Sequence, residues 1–241
     1  MPRSTGVPRL DELLEGGLPS GSATLLQGQP FLGKDVLSRL YVLAGLHKGI
    51  PAILALTTAT PAEARAALTV LDARFPHYER SGLVRYVDLH SAHVGLAPEP
   101  RHTLTLAGPH KVRDLQQALA ELARKRAGRK GGPSIVVDSL STLVAYAGVS
   151  ETFRALHIGL AQARAWGATS LLLLDRGMHA EDEVQALLHL VQGSLELRNM
   201  NGKMLLHMEG HKVAEDRGWV EYRFSDQGFD LTGSFAAGRI R

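Results

Sequence analysis

The stretch Gly28-Gln29-Pro30-Phe31-Leu32-Gly33-Lys34-Asp35 constrains this chain more than any other, because it meets the phosphate-loop pattern G-x-x-x-x-G-K-[ST] at every fixed position except the last. An apolar run, Ala23-Thr24-Leu25-Leu26-Gln27, leads straight into it. Over residues 33 to about 48, Val36, Leu37, Leu40, Tyr41 and Ala44 then recur at helical spacing. Strand, glycine loop and helix follow one another in the order such a loop needs. In the intact pattern, backbone N–H groups curl around phosphate oxygens at a helix N-terminus, the lysine neutralises their charge and the final hydroxyl holds Mg²⁺. Here a carboxylate, Asp35, stands where the hydroxyl belongs.

Further strand patterns lie at residues 52–56, 83–87, 134–137 and 170–174, separated by helical patterns at 62–73, 112–126 and 152–166 or by long connections. This alternation predicts an α/β fold with a mostly parallel sheet covered by helices. Prolines and glycines between residues 91 and 110 predict an irregular surface excursion. After about residue 191 the pattern changes to short strands at 194–197, 203–208, 219–224 and 229–231, with turn signals at Asn201-Gly202 and Asp226-Gln227-Gly228. The expectation is a single domain over residues 1–241: a core to about 190, an antiparallel β extension over about 191–232, and a short tail, 233–241.

At 241 residues, with 44% hydrophobic and 21% charged side chains, the chain can bury a full core and does not have the composition of a disordered protein. The net charge of +3 is too small to argue for nucleic acid. The absence of cysteine excludes disulfides, thiol chemistry and thiolate metal sites. The N-terminus lacks the apolar core of a signal peptide and no apolar run is long enough to span a bilayer, so a cytoplasmic protein without membrane insertion is expected. The histidines are scattered, with only His207 and His211 close in sequence within a possible strand, so zinc is not expected, nor is a redox cofactor.

A phosphate loop also needs an acidic residue at the end of a buried strand to hold the metal shell. Ile135-Val136-Val137-Asp138 supplies an apolar run closed by a carboxylate, and the competing reading of Asp138 is a helix cap with Ser139. The opening residues make the resemblance specific. Thr5-Gly6-Val7-Pro8-Arg9-Leu10-Asp11-Glu12-Leu13-Leu14-Glu15-Gly16-Gly17-Leu18-Pro19-Ser20-Gly21 resembles the pattern T-G-[IV]-x-x-L-D-x-L-L-x-G-G-[IL]-x-x-G that precedes the loop in KaiC-like members of the RecA ATPase superfamily. The likeness continues through Asp138 to His207-Met208-Glu209-Gly210, where that family shows K-M-R-G. It implies a RecA-like core binding ATP or ADP with Mg²⁺. It also implies assembly with itself or with a KaiC-like paralogue, often as hexameric rings.

The same comparison marks three departures. In the loop, Phe31 replaces a glycine and Asp35 the hydroxyl, with Asp35 and Asp138 as the candidate metal ligands and Lys34 partly occupied in neutralising Asp35. After the second strand the family's adjacent glutamates are Thr58 and Ala59, neither of them a base at neutral pH, with Glu63 as a conceivable substitute or a helix-start residue. In the tail, His207 and Glu209 occupy the lysine and arginine positions that resemble a trans-acting finger. The loops that serve DNA binding in related recombinases read Ser139-Leu140-Ser141-Thr142-Leu143, without a basic cluster, and Asp175-Arg176-Gly177-Met178-His179-Ala180-Glu181-Asp182-Glu183, which is net acidic. The basic run over 125–130 reads as a solvated helix end or as a phosphate-binding patch. The expectation is a regulatory or assembly subunit that binds nucleotide weakly or not at all and hydrolyses it poorly. The alternatives are an active ATPase using Asp35 for metal and a recombinase-type nucleic-acid binder.

Overall fold

A computed structural model describes residues 1–99, 101–128, 131–211 and 218–232. The tail expected over 233–241, and Arg129 and Lys130 of the basic run, lie outside the described residues. After a short helix α1 (Pro8–Leu13), strand β1 (Ala23–Gly28) runs into the glycine loop and helix α2 (Lys34–His47). There follow β2 (Ala52–Leu56), α3 (Pro61–Leu71), α4 (Phe75–Arg80), β3 (Val84–Asp88), β4 (Thr103–Thr105) and α5 (Val112–Arg126). The second half comprises β5 (Ser134–Asp138), α6 (Leu140–Ala147), α7 (Val149–Ala165), β6 (Thr169–Asp175) and α8 (Glu181–Leu188). It ends in β7 (Gly193–Met200), β8 (Lys203–Gly210), β9 (Val220–Ser225) and β10 (Gly228–Leu231).

All ten strands join one sheet in the order β10-β9-β8-β7-β1-β6-β5-β2-β3-β4. From β7 to β4 every pairing is parallel, and from β7 outward to β10 every pairing is antiparallel. The first strand of the C-terminal extension is therefore a parallel neighbour of β1, and the direction reverses one strand later than the change of pattern at residue 191 suggests. All six residues of β1 are buried, as a strand covered on both faces requires. Alternate residues feed two cores. Leu26, Leu54, Leu56, Val136 and Leu173 pack with α2 on one face, while Leu25, Ile53, Val137, Leu172 and Leu174 pack on the other with α5, α6 and α7.

Helices α1, α4, α6 and α8 and the edge strand β4 were not legible as elements in the sequence. Helix α6 corrects the reading of residues 139–143 as a loop: the Ser139 hydroxyl accepts the Thr142 N–H and caps it. Likewise, Glu181, Asp182 and Glu183 are the first turn of α8, where carboxylates suit the positive end of a helix. Strand β4 crosses the 91–110 excursion as three residues at the sheet edge, too few to show a period.

The extension braces the glycine loop. The buried Tyr222 of β9 stacks on Phe229 at 4.5 Å and donates its hydroxyl proton to the Leu32 carbonyl at 2.8 Å. Gly33 has φ of +80°, and a Cβ there would stand 2.6 Å from the Phe224 ring. Gly33→Ala should destabilise the fold by about 2–4 kcal/mol, combining the left-handed backbone cost with overpacking. In the Phe224→Ala background the same change should cost only about 1–2 kcal/mol, a difference that urea denaturation of the double-mutant cycle measures.

Candidate functional site

The glycine loop leaves the C-terminal end of the central strand β1, the place where open α/β sheets gather ligands. Gly28 sits so close to β7 that a Cβ would stand 2.6 Å from the Leu197 carbonyl oxygen. Phe31 takes the left-handed conformation, φ +64°, that the glycine pattern anticipates, and the residue is 93% exposed. Lys34, the first residue of α2, turns back under the loop. Its Nζ donates to the carbonyl oxygens of Gly28 at 2.8 Å and Gln29 at 2.7 Å and lies 2.9 Å from Asp175 Oδ1.

The partner of Lys34 is a correction to the sequence reading. Asp35 instead pairs with Arg39, one helical turn on, at 3.0 Å. Asp175 closes β6, and the parallel register sets it beside Gly28. Its N–H donates to the Ser141 hydroxyl at 2.8 Å. The sequence reading missed Asp175 as a loop partner, although its position at the end of a buried apolar strand, like that of Asp138, was a usable signal.

Asp138 closes β5, opposite Leu56 of β2. Its carboxylate has no side-chain hydrogen bond or ion pair among the described residues. Burial pushes it up to about 6; Asp35 and Asp175 add to that shift, while Arg39 and Lys34 oppose it. The capping role is taken by Ser139, so the competing reading of Asp138 as a cap fails. Thr57 fastens the turn: its hydroxyl accepts the Ser139 N–H at 2.6 Å and donates to the Ser139 carbonyl at 3.2 Å.

The donor chemistry suits Mg²⁺. Asp35, at the start of α2, and Asp138, at the end of β5, carry hard carboxylate oxygens, and Mg²⁺ is commonly held by one or two carboxylates with water and phosphate completing its shell. Among the described residues no group of three or more histidine, aspartate or glutamate side chains is placed to hold a metal alone.

Thr58 and Ala59, at the positions where the resemblance expects glutamates, carry no ionisable side chain. Thr58 is exposed, and Ala59 lines a cavity between α2 and α3. Glu63 is consumed as a helix cap, accepting from the Thr60 N–H at 2.8 Å and the Thr60 hydroxyl at 2.9 Å, bonds that hold its carboxyl below the usual range. His207 stacks on Trp219 at 5.1 Å, and the Arg198 guanidinium lies 4.9 Å from the same ring. Glu209, with 64% of its side chain exposed, brings Oε1 to 3.7 Å from His207 Nδ1.

Arg176 is ion-paired with Glu181 at 3.0 Å in the acidic stretch. In the basic run, Lys125 pairs with Glu121 at 2.6 Å and Arg126 donates to the Gly82 carbonyl, as a helix end does. No described helix is long and apolar enough to cross a membrane.

A glycine loop at the end of a central strand, a lysine at the following helix start and a carboxylate closing a second buried strand define a RecA-like P-loop NTPase fold. The family model for the KaiC ATPase matches residues 3–213, and the chain belongs to this KaiC-like branch of the RecA superfamily. It is similar to the UPF0273 protein of Methanopyrus kandleri, with 29% identity over 73% of this chain and 68% of the relative. It also resembles the UPF0273 proteins of Pyrococcus furiosus and Aeropyrum pernix, at 31% and 33% identity over 58% of this chain and 54% of each relative. It thus spans just over half the length of the latter two.

The position of Asp138 has a measurable consequence. Because folding raises its pKa, the penalty of charging it is absent below the unfolded value of about 3.9, builds up between there and about 6, and is fully present above. In metal-free buffer, Asp138→Asn should stabilise the fold by up to about 3 kcal/mol at pH 8 and leave it unchanged near pH 4. Urea denaturation across that range checks the slope.

Proposed function

We propose that this chain is a KaiC-like subunit with a self-occupied phosphate loop, which binds ATP or ADP weakly, hydrolyses it poorly and acts in regulation or assembly. The observation that carries the reading is the placement of Lys34, whose Nζ is already met by two loop carbonyls and the Asp175 carboxylate. An incoming phosphate must displace an anion held at 2.9 Å. A hydrogen bond to a charged group contributes roughly 1.5–3 kcal/mol, so this exchange weakens nucleotide binding by about tenfold or more.

Bound Mg²⁺, held by Asp35 and Asp138, would neutralise phosphate charge. Turnover lacks its other supports. General-base help contributes about a hundredfold to ten-thousandfold and a trans-acting arginine about three to five orders of magnitude, and Thr58, Ala59, His207 and Glu209 offer neither. Charge reversal at Glu209 suits a mixed assembly with an intact paralogue as well as a self-assembly, including a hexameric ring. The unpartnered Asp138 favours a second reading, in which the metal site is kept and Mg²⁺-dependent turnover draws its base from a neighbouring subunit.

Thermal unfolding with excess Mg·ATP or Mg·ADP separates these readings, since a ligand at a hundred times its Kd adds about 2.7 kcal/mol of stability. Wild type should respond only at high nucleotide concentration and Lys34→Ala not at all. Asp175→Asn should lower the half-saturating concentration about tenfold. Steady phosphate release from wild type that Lys34→Ala abolishes would overturn the non-hydrolytic reading and establish the second.

A further inference from the structure

A cavity of about 300 Å³ opens between α2 and α3 over strands β2 and β5, beside the glycine loop but lined by none of residues 28–35. Its floor is apolar: Val42 from α2, Leu54 and Leu56 from β2, Leu68 from α3 and Val136 from β5. Its flank is made of Ala59, Ala64 and Ala67, and a larger side chain at any of the three would take up part of the space. Helix α3 thus crosses the sheet without filling the layer beneath it, although interiors are otherwise packed with few voids larger than water.

The mouth is polar and carries more negative than positive charge. Ser38, Arg39, Glu63 and Asp138 form it. The cation among them, Arg39, is held by Asp35 at 3.0 Å. Glu63 is bonded to Thr60, whereas the Asp138 carboxylate has no side-chain partner among the described residues. Asp138 is only half-buried, so its carboxylate is open at the edge of the apolar cavity to an incoming cation or hydrogen-bond donor.

We propose that this cavity is a binding site for a small amphipathic cation, an aliphatic chain or ring carrying a primary ammonium group. The apolar part lies on the leucine and valine floor, and the ammonium donates to Asp138 at the mouth. An anion of the same shape is rejected by Asp138 and Glu63, and a neutral isostere leaves Asp138 unmet. The volume is at the lower end of the range for small-molecule sites. The inference does not rest on nucleotide binding at the loop; it shares Asp138 with the Mg²⁺ site proposed above, so its test contains a chelator and no nucleotide.

The experiment uses the full chain at pH 8 with chelator present, and three probes of one length: hexylammonium, 1-hexanol and hexanoate. Calorimetric titration and thermal unfolding are both read. Hexylammonium should bind saturably and raise the unfolding midpoint, 1-hexanol should bind at least tenfold more weakly, and hexanoate should have no effect. Asp138→Asn should reduce hexylammonium to the level of 1-hexanol. Ala67→Phe should abolish the response to both. Should that variant not fold, the milder Ala64→Val, which narrows the same flank, should weaken both probes several-fold. Equal binding of hexylammonium and 1-hexanol to wild type, no response to any probe, or an undiminished response in the folded cavity variant would each overturn the proposal.

Discussion

The ion pair between Lys34 and Asp175 joins the elements on which the rest of the site depends. Lys34 begins α2, Asp175 ends β6, and the carbonyls of Gly28 and Gln29 that share the ammonium belong to the loop leaving β1. One cation therefore ties the central strand, its parallel neighbour and the helix that covers them. At a side-chain exposure of 9% for the lysine, the attraction is little screened by solvent. It also clears the rest of the neighbourhood. With Lys34 turned toward β6, Asp35 at the start of α2 is left to Arg39 and Asp138 at the end of β5 has no side-chain partner among the described residues, so the charges of the three carboxylates are unevenly met.

The loop that Lys34 anchors is held under tension from the other side. Phe31 occupies a left-handed conformation that costs a bulky residue roughly 1–2 kcal/mol, and with its ring in solvent it recovers little by packing. What fixes the conformation is the C-terminal extension. Tyr222 holds the Leu32 carbonyl and Phe224 lies against Gly33. The antiparallel strands are thus part of the phosphate-loop support: their buried aromatic stack sets the loop shape that the loop residues alone would not keep.

Much of this was legible in the sequence because the signals were periodic or stereochemical. The parallel core strands and the helices at 34–47 and 112–126 follow from apolar spacing. Phe31 could be flagged from a glycine pattern because positive φ is a local property. The short elements were hidden for an equally physical reason. A six-residue helix such as α1 buries only Leu10, and a three-residue edge strand has no period to read. The choice of partner for Lys34 was also hidden, since it depends on which strand lies next to β1. Sequence order suggested Asp35, one residue away; the sheet order β1-β6 supplies Asp175, far along the chain.

The departures from the family pattern are spatially connected. Ala59, where the resemblance expects a glutamate, lines the cavity under α3, while Asp138, without a side-chain partner among the described residues, forms part of that cavity's mouth. Restoring a glutamate at residue 59 would bring a second unpaired carboxylate toward Asp138, raising its pKa further and filling part of the space. The family's general base and the cavity are therefore alternatives at one place in the fold. A chain that carries Ala59, Ala64 and Ala67 keeps a pocket at the place where the KaiC-like pattern puts a carboxylate, so a glutamate introduced at residue 59 would have to be accommodated by closing part of that pocket.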